Sequence, residues 1–61
     1  MTVYTNAYVN STMKSPRGLG NWAFKIAGNT YFFIGMYSVA KKEAIAMAKA
    51  IGGVHYIDLM G

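Results

Sequence analysis

Few residues of this chain have side chains suited to acid–base or metal chemistry. Glu43 and Asp58 are the only carboxylates, His55 is the only histidine, and there is no cysteine. Mg²⁺ needs several anionic oxygens, so Glu43 and Asp58 alone make a weak magnesium site. His55 lies in an apolar segment with no evident nucleophile and orienting carboxylate, which favours a structural or surface histidine over a catalytic one. The residue types therefore favour a binding protein that needs no cofactor over an enzyme.

The chain is basic, and part of its positive charge is concentrated in one segment. Lysine and arginine number six against two acids, giving a net charge of +4. Lys14 and Arg17 fall within residues 10–20, together with the only proline, and Lys25 follows in the next segment. Such a charge favours phosphate-bearing or acidic partners. These three cations are therefore the candidate nucleic-acid contacts.

Aromatic residues near these cations have two interpretations. The residues concerned are Trp22, Tyr31 and Phe33. On a surface they would give bases a platform for stacking beside the cations. Alternatively they form the hydrophobic core, and the lysines keep a 54% hydrophobic chain in solution. The core interpretation is favoured, because the chain has few other aromatic residues with which to build a core.

Residues 38–53 carry the strongest secondary-structure pattern, that of one amphipathic helix. Ser38 is a suitable N-cap, and the Gly52-Gly53 pair is a suitable stop. Helical spacing places the following side chains on one face: Ala40, Ala44, Met47, Ala48 and Ile51. The lysines occupy the opposite face. Glu43 lies at the margin, and Ile45 lies among the lysines, which makes Ile45 a candidate partner contact.

Four further segments are predicted to be strands. Residues 2–9 form the first strand, residues 10–20 an exposed loop, residues 21–27 and 30–37 a hairpin, and residues 54–59 the last strand. The result is an α+β fold with the order βββαβ and a single domain spanning residues 1–61. Hairpin-linked strands followed by a helical crossover predict a mixed four-stranded sheet with the order 3-2-1-4. Asn6 and Asp58 then become neighbours, with Glu43 within reach.

The chain resembles ribonuclease H and its relatives in four segments. Tyr-Thr-Asn-Ala at residues 4–7 resembles the family's first-strand Thr-Asp-Gly, and residues 16–23 resemble its Pro/Gly-rich loop and aromatic second strand. Glu-Ala-Ile-Ala at residues 43–46 and Ile-Asp at residues 57–58 match its helix and fourth strand. The resemblance covers the first half of the family's fold. It implies two Mg²⁺ ions held by carboxylates, but Asn6 replaces the first acid and the region of the last acid is missing.

Two classes of function follow from these observations. The first is a non-catalytic ribonuclease H-like module that binds another protein as an inhibitor or adaptor, a role that would suit a phage-encoded protein. The second is a nucleic-acid-binding protein that contacts an RNA–DNA hybrid or a single strand through its basic loop. A metal nuclease assembled only across an oligomer ranks last, with Asn6, Glu43 and Asp58 as its remnants.

Apolar residues on both sides of the predicted sheet indicate a partner. One helix covers one face, yet residues 30–37 are apolar on both, and Tyr4 and Tyr8 face away from Val3. Tyr4 and Tyr8 join Ile45 as candidate partner contacts, and the last strand is expected to be a free edge. A homodimer or a bound protein partner is therefore expected. Without a leader-like N-terminus or an apolar run long enough to span a bilayer, we expect a cytoplasmic protein that does not bind membranes.

Overall fold

The computed structural model describes residues 1–60, which form one sheet and two helices. The elements are β1 (Thr2–Tyr4), α1 (Asn6–Thr12), β2 (Leu19–Ile26), β3 (Asn29–Met36), α2 (Tyr37–Ile51) and β4 (Tyr56–Leu59). The sheet order is β1-β4-β2-β3, with β1 parallel to β4 and with β2 antiparallel to both β4 and β3. The predicted α+β class with a mixed four-stranded sheet is confirmed.

The position of β4 differs from the predicted order 3-2-1-4. β4 lies between β1 and β2, although its predicted parallel pairing with β1 is present. The prediction assumed that the first two strands form a hairpin, but α1 follows β1 and carries the chain away, so β2 does not pair with β1. β4 fills the space between them. The prediction that the last strand is a free edge is therefore wrong, and β1 and β3 are the edges.

The predicted first strand is in fact a short strand followed by a helix. Only Thr2–Tyr4 is extended, and Asn6–Thr12 is helical. Thr5, Tyr8 and Thr12 are half-buried at helical spacing, whereas their neighbours in the helix are exposed. The helix ends at Thr12, whose hydroxyl donates to the Tyr8 carbonyl oxygen at 2.8 Å, and the following residue, Met13, has a left-handed φ of 60°. The connection to β2 is consequently shorter than the predicted loop.

The predicted hairpin between β2 and β3 is confirmed. Eight residue pairs run from Leu19 opposite Met36 to Ile26 opposite Asn29. The two turn residues are Ala27 and Gly28, with φ values of 51° and 84°. Positive φ at both positions is what a type I′ turn requires. The predicted strands, residues 21–27 and 30–37, leave residues 28 and 29 for the turn, so the observed turn lies one residue earlier than predicted.

α2 packs on the sheet through three small residues. Ala40, Ala44 and Ala48 are buried, as predicted, and they contact the buried side chains of β2 and β4. Those side chains are Trp22, Phe24, Ile26, Ile57 and Leu59. The helix begins at Tyr37 and not at a Ser38 cap. Because the alanines have almost no side chain, the large apolar groups of this core come from the sheet.

Trp22 joins both helices to the sheet. Its ring packs between Tyr8 of α1 and Tyr37 of α2, at centroid distances of 5.4 and 5.0 Å. Its indole N–H donates to the Gly35 carbonyl oxygen at 2.9 Å. The indole lies over Gly20, where a Cβ would approach the ring to 3.3 Å. Burial raises the pKa of the Tyr37 phenol, in agreement with its place in this cluster.

The close approach of α2 predicts a position-dependent response to a larger side chain. Ala44→Leu should destabilise the fold by about 1–3 kcal/mol, because the buried alanine has no room for added methylenes. Ala46→Leu is the control, since Ala46 is exposed two residues along the same helix. Urea unfolding measures both variants. Equal stability of the two variants would contradict the described packing.

Candidate functional site

The sheet has one covered face and one open face. Trp22 and Phe24 point to the helices, so the alternate residues of β2 point the other way. The register places Ala23 beside Phe32 and Asn21 beside Ile34 on that second side. This open face consists of Thr2, Tyr4, Leu19, Asn21, Ala23, Lys25, Thr30, Phe32, Ile34, Met36, Tyr56 and Asp58. None of the described helices packs on it.

One half of the open face is an apolar patch, defined here as Leu19, Phe32, Ile34 and Met36. Ile34 is 87% exposed, Leu19 79% and Phe32 68%. Leu19 lies directly opposite Met36 on neighbouring strands, so the patch is continuous. Contiguous apolar surface on a protein commonly marks a contact site. This patch is the strongest candidate for a functional surface in the part of the chain that the structure describes.

The other half of the open face carries two tyrosines and an opposite-charge pair. The rings of Tyr4 and Tyr56 meet edge to face at 5.7 Å. Lys25 lies opposite Asp58 in the register, and opposite charges at such a position attract. The two ionised groups give the open face no net charge. The excess positive charge of the chain therefore lies on its other surfaces.

The three predicted partner-binding residues are in different environments. Tyr4 is exposed on the open face, as predicted. Tyr8 belongs to α1 and packs against Trp22, and Ile45 is half-buried against the core instead of lying exposed among the lysines. The prediction missed Leu19, which was assigned to a loop. No local pattern identifies it, because its same-face neighbours along β2 are Asn21, Ala23 and Lys25, which mix polar and apolar side chains.

The candidate metal ligands are not brought together. Tyr4, and not Asn6, is in register with Asp58, while Asn6 begins α1. Glu43 is exposed on α2, which packs on the covered face, whereas Asp58 belongs to the open face. Within residues 1–60 no group of three His, Cys, Asp or Glu side chains is placed to hold a metal ion. The predicted convergence of Asn6, Glu43 and Asp58 is therefore not found.

The three predicted nucleic-acid contacts are divided between two clefts. Lys14 and Arg17 line a cleft of about 720 Å³ beside the start of β2. Lys25 lines a second one, of about 480 Å³, with His55 and Asp58. Among the three aromatic residues expected to stack bases, Trp22 lines the first cleft but is buried, and Tyr31 and Phe33 line neither cleft, so they form no exposed platform beside the cations. Those residues, Trp22, Tyr31 and Phe33, are buried or half-buried in the core, so the core interpretation is confirmed.

Comparisons with known proteins identify no relative. No family model, curated protein or solved structure matches the chain. The helices of the described chain, residues 6–12 and 37–51, are both too short to cross a bilayer. The functional interpretation therefore depends on the surfaces described above.

The separation of the acidic side chains predicts the outcome of restoring the missing carboxylate. Asn6→Asp should give no stabilisation by millimolar Mg²⁺ beyond that of the parent, because Glu43 lies across the sheet from Asp58. Asn10→Asp is the control, since it adds the same charge to an exposed position of α1. Thermal melting with and without Mg²⁺ measures the effect. Magnesium-dependent stabilisation of the Asn6 variant alone would show that the three side chains converge.

Proposed function

We propose that this protein is a non-catalytic binding module that acts by protein–protein contact, and that a second copy of the chain covers its open face. The observation that supports this proposal is the exposure of the apolar patch. Burying a large apolar side chain contributes about 1.5–3 kcal/mol, so Leu19, Phe32 and Ile34 together would contribute stability comparable with that of a small domain. Sheet faces pack on each other at about 10 Å with interdigitating side chains, and the open face offers such a surface.

The charge distribution favours a second copy as the occupant. Each chain carries a net charge of +4, so two copies repel unless they meet through a neutral surface. The open face is that surface, because Lys25 lies beside Asp58. A twofold axis near this pair would bring Lys25 of each copy towards the Asp58 of the other, which is the self-complementarity that a symmetric dimer requires.

The area that a stable dimer buries indicates how much of the open face the second copy would cover. A stable interface buries about 800 Å² on each partner, which is about one fifth of the 4094 Å² surface of this chain. Four side chains do not supply that area. The dimer must therefore use the tyrosine half of the open face as well as the apolar patch, and Tyr4 and Tyr56 would be buried with it.

Nucleic acid is the second candidate for the open face. Tyr4, Phe32 and Tyr56 are exposed aromatic rings on a sheet, an arrangement on which bases stack. However, the face has one cation, Lys25, and that cation lies beside a carboxylate. Phosphate contacts supply most of the affinity of nonspecific nucleic-acid binding. The aliphatic patch and the absence of net charge therefore favour a protein surface.

From the ribonuclease H resemblance we propose a common ancestry with that family and no shared catalytic activity. It depends on the four segments named above, with Asn6 at the place of an acid. An ancestry of this kind agrees with an adaptor or inhibitor that has no cleavage activity. The observed position of β4 departs from the sheet order expected with that resemblance. The proposed protein contact does not depend on it.

Self-association through the open face predicts that one charge in the apolar patch dissociates the dimer. The parent should sediment as a dimer at micromolar concentration and melt at a higher temperature when more concentrated. Ile34→Lys should weaken association by about tenfold or more, at about 1.4 kcal/mol per tenfold, because a lysine would be desolvated in the interface. Val39→Lys is the control, since Val39 is an exposed apolar residue on α2. Its association should match that of the parent.

Two outcomes would contradict this proposal. A parent that sediments as a monomer, with a melting temperature indifferent to dilution, would rule out the second copy. If that monomer bound a single-stranded oligonucleotide, with an affinity that fell steeply with salt and was lost in Tyr56→Ala, nucleic acid would be the occupant of the open face.

A further inference from the structure

The cleft beside the start of β2 combines two cations with no acid. Lys14 and Arg17 line it from the connection that follows α1, and Asn21 lines it from β2. The two acids of the chain lie elsewhere, Glu43 on α2 and Asp58 on β4. Two unopposed positive charges on one cleft attract an anion, and Arg offers the forked N–H geometry that matches phosphate oxygens. The cleft therefore has the chemistry of a phosphate site.

The other residues that line the cleft could contact an organic group attached to the phosphate. Tyr8 and Leu19 contribute apolar surface, and the Asn21 side chain supplies both a donor and an acceptor. Small-molecule sites typically enclose about 300–1,000 Å³. The cleft has a volume of about 720 Å³ but is half open to solvent, so a ligand would lie against its wall without being enclosed. A ligand with a phosphate at one end and a flat, partly apolar group at the other would contact both kinds of wall.

Two features hold the cleft in place. The Gly18 carbonyl oxygen, after Arg17, accepts a hydrogen bond at 2.8 Å from the Tyr37 amide at the start of α2. Trp22 at the back of the cleft is buried and bonded to Gly35. Lys14 and Arg17 therefore belong to the connection between α1 and β2, and the end of this connection at Gly18 is held by α2.

We propose that this cleft binds a nucleotide, with its phosphate on Lys14 and Arg17 and its base against Tyr8 and Leu19. Leu19 and Asn21 belong to both the cleft and the open face, so a second copy on the open face would compete with the nucleotide for these residues. The nucleotide is either free in solution or part of a single strand. Both sources present the same phosphate and base to the cleft, and a comparison of AMP with a short oligonucleotide distinguishes them.

Trp22 makes the test direct, because it is the only tryptophan and it lines the cleft. Its fluorescence is followed at low ionic strength while AMP, adenosine, inorganic phosphate or a short single-stranded DNA is added to the parent protein and to the Ile34→Lys variant, in which association through the open face is weakened. A response in the variant alone also supports the site, because the second copy would then cover Leu19 in the parent. AMP should give a saturable change. Adenosine and phosphate should each bind about tenfold or more weakly than AMP, since each lacks one half of the ligand.

A matched pair of double variants separates the cleft from the net charge. Lys14→Gln with Arg17→Gln should weaken AMP binding by about tenfold or more, through the loss of charge-assisted hydrogen bonds. Lys41→Gln with Lys42→Gln removes the same charge from exposed positions of α2 and should change binding by about twofold or less. All four side chains are exposed, and circular dichroism checks that each variant is folded.

The relative affinities of AMP and the oligonucleotide identify the source of the nucleotide. An oligonucleotide that binds more tightly than AMP and still requires Lys14 and Arg17 supports the site and identifies a strand as the source. Tighter binding of AMP identifies the free nucleotide. The absence of a saturable response in both the parent and the Ile34→Lys variant, equal losses in the two double variants, or phosphate binding as tightly as AMP would each overturn the nucleotide assignment.

Discussion

The packing of one alanine-faced helix on one side of the sheet is the constraint on which the rest of the structure depends. Ala44 and Ala48 let α2 lie close to the strands, so Phe24 and Leu59 are buried beneath it. α1 is short and is directed to Trp22 on the same side, so it supplies no second layer. Both helices of the described residues therefore lie on one side of the sheet. The apolar residues of the other face therefore remain exposed.

The parts of the fold that could be predicted are those with local periodicity. The α2 pattern and the hairpin alternation are properties of neighbouring residues, and both are present in the structure. The alternation from Val3 to Val9 predicts a strand. The helical spacing of Thr5, Tyr8 and Thr12 is evident only from their burial in the structure, so the sequence pattern does not predict α1. The sheet order depends on long-range pairing of β4, which no local pattern specifies.

Part of the open face could be predicted from the sequence of one strand, residues 30–37. Apolar residues on both sides of residues 30–37 predicted that one apolar side of this strand is left uncovered by the helix, and the structure places Phe32 and Ile34 on that open side. Leu19 was missed because the glycines on either side of it indicated a loop. Lys25 was grouped with Lys14 by its charge, but the strand directs it to another cleft. These differences arise because charge and composition do not specify which face of an element a residue occupies.

The most direct measurement of the central claim is an isotope-filtered NOE experiment on a sample that mixes labelled and unlabelled chains. Such an experiment reports only contacts between protons of different chains. If a second copy covers the open face, intermolecular NOEs should connect Phe32, Ile34 and Leu19 of one chain with open-face residues of the other. Intermolecular NOEs confined to α2, or none at a concentration that saturates association, would contradict the account.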